Sequence, residues 1–177
     1  MKASVLGITL GFVVSVAHAG SIYDKSIRAP NAETIHLKKY KGKPVLFVNI
    51  ATRCGFTPQL EGLEKLHKKY SAKGLTVIGI PSNDFGSQTP EKDKEVVTFC
   101  KLNYGVSFPI SLKQVVKGDK KNEIVKSLIA MSQRKGEIAW NFEKFLLSKN
   151  GTSVKRFSSR VKPMDKDLVS EIEKELK

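Results

Sequence analysis

"VLFVNIATRCGFTPQ", residues 45–59, begins as an uncharged run of branched and aromatic side chains and breaks into a turn that holds one of the two cysteines of the chain. The run predicts a strand covered on both faces, as in a sheet flanked by helices. After the turn, Thr57 suits a helix cap and Pro58 the first helical position. Leu60, Leu63, Leu66 and Tyr70 then fall near helical spacing before Gly74 ends the element. "LTVIGI", residues 75–80, predicts a second buried strand. Strand, helix, strand is the parallel crossover unit.

Upstream, "SIYDKSIRAPNAETIHLKKYKGKP", residues 21–44, carries short alternating pieces around a turn cluster at Ala29 to Ala32 and predicts a small hairpin. Downstream, "SNDFGSQ" is a loop, and Thr89 with Pro90 predicts the start of a second helix on which Val96 and Cys100 share one face. "YGVSFPI" leads back to extended chain, and Asp119 opens a third helical stretch through Ile124, Leu128 and Met131. "WNFEKFLLSKNGTSVKRFSS", residues 140–159, predicts a hairpin with a tight turn at Asn150-Gly151. An amphipathic helix through Leu168, Ile172 and Leu176 closes the chain. The expected fold is α/β, a central mixed sheet flanked by helices with an N-terminal β-hairpin.

The 177 residues predict one domain able to bury roughly 70% of its unfolded surface. The opening "MKASVLGITLGFVVSVAHAG" has a positive end at Lys2, an apolar run from Val5 to Val16, and the small-residue site Ala17 to Ala19. It reads as a bacterial signal peptide, residues 1–19, so residues 20–177 form the expected mature domain and the periplasm its expected compartment. The formal net charge is +14. The lysines are dispersed among acids, as in "EKLHKKY" and "EIEKELK", which describes a solvated surface rather than a nucleic-acid face.

Two thiols in an oxidising compartment would by default pair as an inert bridge between Cys54 and Cys100. The position of Cys54 argues for reactivity instead. A cysteine between a buried strand and the following helix faces unpaired backbone N–H groups and the positive helix end, both of which favour thiolate. Arg53 adds a cation beside it. "CGFT" places Thr57 where disulfide exchangers of the thioredoxin type carry a second cysteine. With mature histidines only at His36 and His67, and His67 expected at the surface of the first helix, no metal site is expected.

The residues "VNIATRCGFTPQLEGLEKLHKKYSAKGLTVIGIPSNDFG", followed in order by "FCKLNYGVSFPI" and "WNFEKFLLSKNGTSVKRF", resemble the glutathione peroxidase family over nearly the whole mature chain. The resemblance implies a thioredoxin-like fold and a peroxide reductase, with Cys54 at the position of the family's cysteine or selenocysteine. Trp140 and Asn141 match the family's tryptophan and asparagine. The family loop reads Asn-Gln-Phe-Gly where this chain has Asn83-Asp84-Phe85-Gly86, so Asp84 stands at the expected glutamine position, either as a proton relay or as an outward loop residue. Gln88 is read as a separate part of the pattern without that role, and Gln59 as helix-start structure.

In members that use thioredoxin the capturing thiol lies on the helix after this loop, which implies Cys100 as the resolving residue. The implied co-substrates are a hydroperoxide and a thioredoxin-like protein or glutathione, with no further cofactor and a monomeric chain. Two alternatives belong to other classes: a non-catalytic exported domain with a structural Cys54–Cys100 disulfide, and a module that binds an acidic partner through its basic surface.

Overall fold

The computed structural model describes residues 21–177, so the expected signal peptide lies outside the described residues. A short antiparallel hairpin, β1 (Ser26–Arg28) and β2 (Thr34–His36), precedes the main sheet. There follow β3 (Val45–Ile50), α1 (Gln59–Tyr70), β4 (Thr76–Pro81), α2 (Asp93–Tyr104), α3 (Glu123–Met131), β5 (Lys144–Leu147), β6 (Val154–Phe157) and α4 (Lys166–Glu175). The four-stranded sheet has the order β4-β3-β5-β6, with β3 parallel to β4 and antiparallel to β5, and β5 antiparallel to β6.

Every residue of β3 is buried, as its uncharged composition requires of a strand with both faces covered. Leu46, Val48 and Ile50 join Leu60, Leu63 and Leu66 of α1, Val96 and Cys100 of α2, and Leu168 and Ile172 of α4 in one apolar cluster. Val45 and Phe47 join Ile124, Val125 and Leu128 of α3, with Ile27 and Ile35 of the hairpin, in the other. Each leucine fully buried in this way contributes about 1.5–3 kcal/mol, which is why α1 docks although its outward face is lysine-rich. Among the described residues no helix is long and apolar enough to cross a membrane.

Element starts differ from expectation where side chains had tertiary work. Thr57 does not cap α1, because its hydroxyl turns back to Ala51 and Cys54. Thr89 likewise turns to Ser82 and Asn83, and α2 starts at Asp93 with the Glu95 carboxylate accepting from Lys92 N at 2.9 Å. The third helix is capped by Asn122, whose side chain accepts from Ile124 N at 2.8 Å, rather than opening at Asp119.

The β5–β6 connection is longer than a two-residue turn. Ser148 N donates to Ser153 O, and Asn150 Oδ1 gathers the Ser148 hydroxyl and the Thr152 N–H and hydroxyl. Gly151 there has φ +71°, and the Tyr23 ring occupies the space a Cβ would need.

Candidate active site

The segment between β3 and α1 winds through successive tight turns, Thr57 N donating to Cys54 O at 2.9 Å and Leu60 N to Thr57 O at 3.0 Å. The Thr57 hydroxyl donates to Ala51 O and accepts from Cys54 N, fixing the start of the turn on its end. Phe56 N points at the Cys54 sulfur, 3.4 Å away. Cys54 is 8% exposed, the sulfur lying at the margin of the core rather than in open solvent. Arg53 does not serve it as a free cation: its Nε pairs with Glu91 Oε1 at 2.7 Å, and Glu91 Oε2 accepts from the Thr52 hydroxyl. Burial alone pushes the Glu91 carboxyl up, but the bonds from Thr52 and Arg53 outweigh it and hold the group below the usual range.

The loop after β4 decides which of its polar side chains reaches this turn. Gly86 and Ser87 both adopt left-handed backbone, φ +62° and +52°, which reverses the chain. Thr89 closes the loop as a double donor: its N–H donates to Asn83 Oδ1 and its hydroxyl to Ser82 O. As a result Asp84 is thrown outward, its Oδ2 accepting from Val116 N at 2.6 Å and Lys117 N at 3.1 Å. The carboxylate at the expected glutamine position, read as either a proton relay or an outward loop residue, is thus occupied in tying the loop to residues 116–117.

Gln88 swings inward instead. Its carbonyl accepts from Thr52 N, Arg53 N and the Thr52 hydroxyl, and its Oε1 accepts from Asn141 Nδ2 at 2.9 Å. Gln88 is therefore the residue that the sequence reading set aside and the fold brings to the site. Its signal was the Gly-Ser pair before it, a place where chain reversal is cheap.

Trp140 and Asn141 arrive just before β5. Asn49, near the end of β3, clasps them: its Nδ2 donates to Trp140 O at 3.1 Å and its carbonyl accepts from Phe142 N at 2.6 Å. Phe142 takes φ +65°, a left-handed conformation that costs a bulky residue about 1–3 kcal/mol. Asn141 is fully buried and its Oδ1 has no hydrogen-bond partner among the described residues. Trp140 is 39% exposed and packs against Phe85 at 5.7 Å between ring centres. A cavity of about 520 Å³ runs between Trp140 and Phe56, with Arg134, Ser159 and Arg160 also in its wall.

The stretch before Trp140 is held by a buried ion pair. Arg156 Nε meets Glu143 Oε2 at 2.7 Å, while its other nitrogens donate to the carbonyls of Arg134, Gly136 and Glu137. Glu143 Oε1 accepts from Ala139 N at 2.8 Å.

Both cysteines are free thiols. Cys100 is 1% exposed within α2, and burial, with the Glu91 charge adding to it, pushes its thiol up to about 12. His67, expected at the surface, is half-buried edge-on to Phe108, and burial lowers its pKa. No group of three or more His, Cys, Asp or Glu among the described residues is arranged to hold a metal ion.

With this geometry established, comparison with known proteins is specific. The glutathione peroxidase family profile matches residues 22–129. Glutathione peroxidase-like peroxiredoxin 2 of Saccharomyces cerevisiae is 44% identical over 161 residues, covering 87% of this chain and 98% of that protein. The glutathione peroxidase of Lactococcus lactis is 40% identical, covering 89% and 98%. Among solved structures, GPX1 of T. cruzi superposes with a TM-score of 0.69 at 28% identity, covering 89% of this chain and 97% of its own. A thiol:disulfide interchange protein of the thioredoxin family from Chlorobium tepidum shares the fold, with a TM-score of 0.66 at 16% identity and coverage of 86% and 93%.

Proposed function

Because the chain belongs to the glutathione peroxidase family, oxidoreductases that act on peroxides, we propose that Cys54 is its peroxide-attacking sulfur and that Gln88, Trp140 and Asn141 serve that atom. Thiol-dependent peroxidase chemistry follows from the family. The observation that supports these residues is the double attachment of Gln88, whose backbone holds the Cys54 turn while its side chain holds Asn141.

In the proposed first step the Cys54 thiolate forms a bond to one peroxide oxygen as the O–O bond breaks. Sulfur is oxidised to the sulfenic acid, and the departing oxygen takes the electron pair and a proton to leave as water or alcohol. The Trp140 indole N–H and the second hydrogen of the Asn141 amide are the donors that suit the charge on that oxygen. In the second step the Cys100 sulfur bonds to the Cys54 sulfur to form the disulfide, and the S–O bond breaks, its hydroxide leaving as water with the proton given up by the Cys100 thiol. An outside dithiol protein of the thioredoxin type, or two molecules of glutathione, returns both thiols. No cofactor is required.

Buried and held as a thiol, Cys100 is a poor attacker until α2 opens. The helix is suited to opening because only Val96 and Cys100 of its residues are buried. The chain acts, in this reading, as a monomer in the periplasm after cleavage near Ala19.

The test is to add one equivalent of hydrogen peroxide to the fully reduced protein and map the sulfur products by mass spectrometry. A Cys54–Cys100 disulfide is expected in the wild type and a trapped sulfenic acid at Cys54 in Cys100→Ser. A Cys100 oxidised beside an untouched Cys54 would overturn the assignment.

Gln88→Ala releases both the Asn141 amide and the order it imposes, so its second-order rate constant with peroxide is expected to fall up to about 100-fold. Asp84→Asn, which can still accept from residues 116–117, is expected to keep the wild-type rate constant with peroxide, measured in the same way.

A further inference from the structure

Lys144, the first residue of β5, is fully buried, and the peroxidase cycle described above gives it nothing to do. Its Nζ lies 2.6 Å from Gln59 Oε1 and 2.9 Å from the carbonyl of Phe142. Gln59 is the first residue of α1, and its Nε2 donates to Ser159 O at 2.7 Å beyond the end of β6. One amine thus joins three pieces of chain: the start of the helix that follows Cys54, the residue after Asn141, and the segment that leaves β6.

The acceptor at Phe142 matters because that residue is the left-handed one. A strained conformation persists only when its surroundings over-determine it. Asn49 O secures the Phe142 N–H, and Lys144 secures the Phe142 carbonyl. With both peptide groups held, the chain leaves the strand direction at Phe142 and carries Trp140 and Asn141 off the sheet. We propose that Lys144 is a positioning residue, which sets the Trp140–Asn141 pair against the Cys54 turn by holding the Phe142 carbonyl and Gln59 together.

No carboxylate lies within ion-pair distance of the amine among the described residues. The charges that bear on it are Asp165, ahead of α4, and Glu143 beside it; burial outweighs both and lowers its pKa to about 7. A neutral amine has two N–H bonds and the site offers two acceptors, so the brace holds on either side of that titration. An ordinary charged lysine chosen for stability would instead sit beside a buried counter-ion, as Arg156 does.

The role rests on the peroxidase reading, and the test separates the two. Trp140 is the single tryptophan of the chain, so its emission and its quenching by acrylamide report the position of that side chain directly. Reduced wild type and Lys144→Met are compared at a temperature where far-ultraviolet circular dichroism shows both folded. In Lys144→Met the rate constant of Cys54 with hydrogen peroxide is expected to fall between about 10- and 100-fold, with a shift of Trp140 emission and stronger quenching. Reduction of the preformed Cys54–Cys100 disulfide by dithiothreitol is expected to be unaltered.

If Lys144→Met does not fold, Gln59→Met, which removes one of the two acceptors at a half-buried position, is expected to change emission and rate in the same direction. Peroxide rate and Trp140 emission both unchanged in the folded variant overturn the role of Lys144. A wild type that does not react with peroxide fails the peroxidase reading itself.

Discussion

Cys54→Ser is expected to remain folded and to consume peroxide no faster than the same concentration of Cys100 thiol left buried in its helix. The hydroxyl that replaces the thiol is similar in size and can still accept from Phe56 N, so the turn keeps its shape. What is lost is the sulfur nucleophile of the proposed first step, for which a serine hydroxyl is no replacement. Cys100 cannot substitute for it, because burial holds that thiol near 12 and α2 covers it. Cys100→Ser should behave differently, giving one rapid turnover at the wild-type rate and then stalling as the sulfenic acid. Stopped-flow peroxide consumption over the first turnover checks both; equal first-turnover rates for Cys54→Ser and wild type would remove Cys54 from the chemistry.

Arg156→Leu carries the largest expected cost in stability. Its side chain is 3% exposed and Glu143 2%, so the pair is out of water on both sides. Arg134 also reaches Glu143, at 3.2 Å, but its side chain is half in solvent and does not replace the lost fork. Removing one partner of such a pair leaves a buried charge without compensation, worth about 3–5 kcal/mol. For a domain of this size that corresponds to a fall in Tm of about 10 °C or more.

The carbonyls of Arg134, Gly136 and Glu137 also lose their donor, so residues 134–139 should loosen and Trp140 with them. Replacing both partners, as Arg156→Leu with Glu143→Leu, should recover most of the stability while leaving the loop loose. Calorimetry of the two variants checks the first claim, and acrylamide quenching of Trp140 the second.

The pattern of apolar residues was enough to read most of the frame. β3 and β4 are uncharged runs, α1 and α4 carry their leucines and isoleucines at helical spacing, and the β5–β6 hairpin brackets Asn150-Gly151. These are local regularities, and burial of one face follows from them directly. Cys54 was legible for the same reason, since a cysteine between a buried strand and a helix occupies a definable chemical position. Thr57 and Thr89 misled because a hydroxyl near a helix start has several donors and acceptors within reach, and both turn back to residues three to seven positions earlier in the chain instead of forward to the helix.

Sequence alone determined the order of strands and helices, the family, and the sulfur that sits at the strand end, because each depends on spacing along the chain. Tertiary structure decided which residues meet that sulfur's turn and the Trp140–Asn141 segment. Two left-handed residues send Asp84 outward and Gln88 inward, and Arg53 is spent on Glu91, a residue 38 positions away. The physical reason is that hydrogen bonds and ion pairs act over about 3 Å in space, and a change of φ from negative to positive at one or two residues chooses which side chains come within that reach.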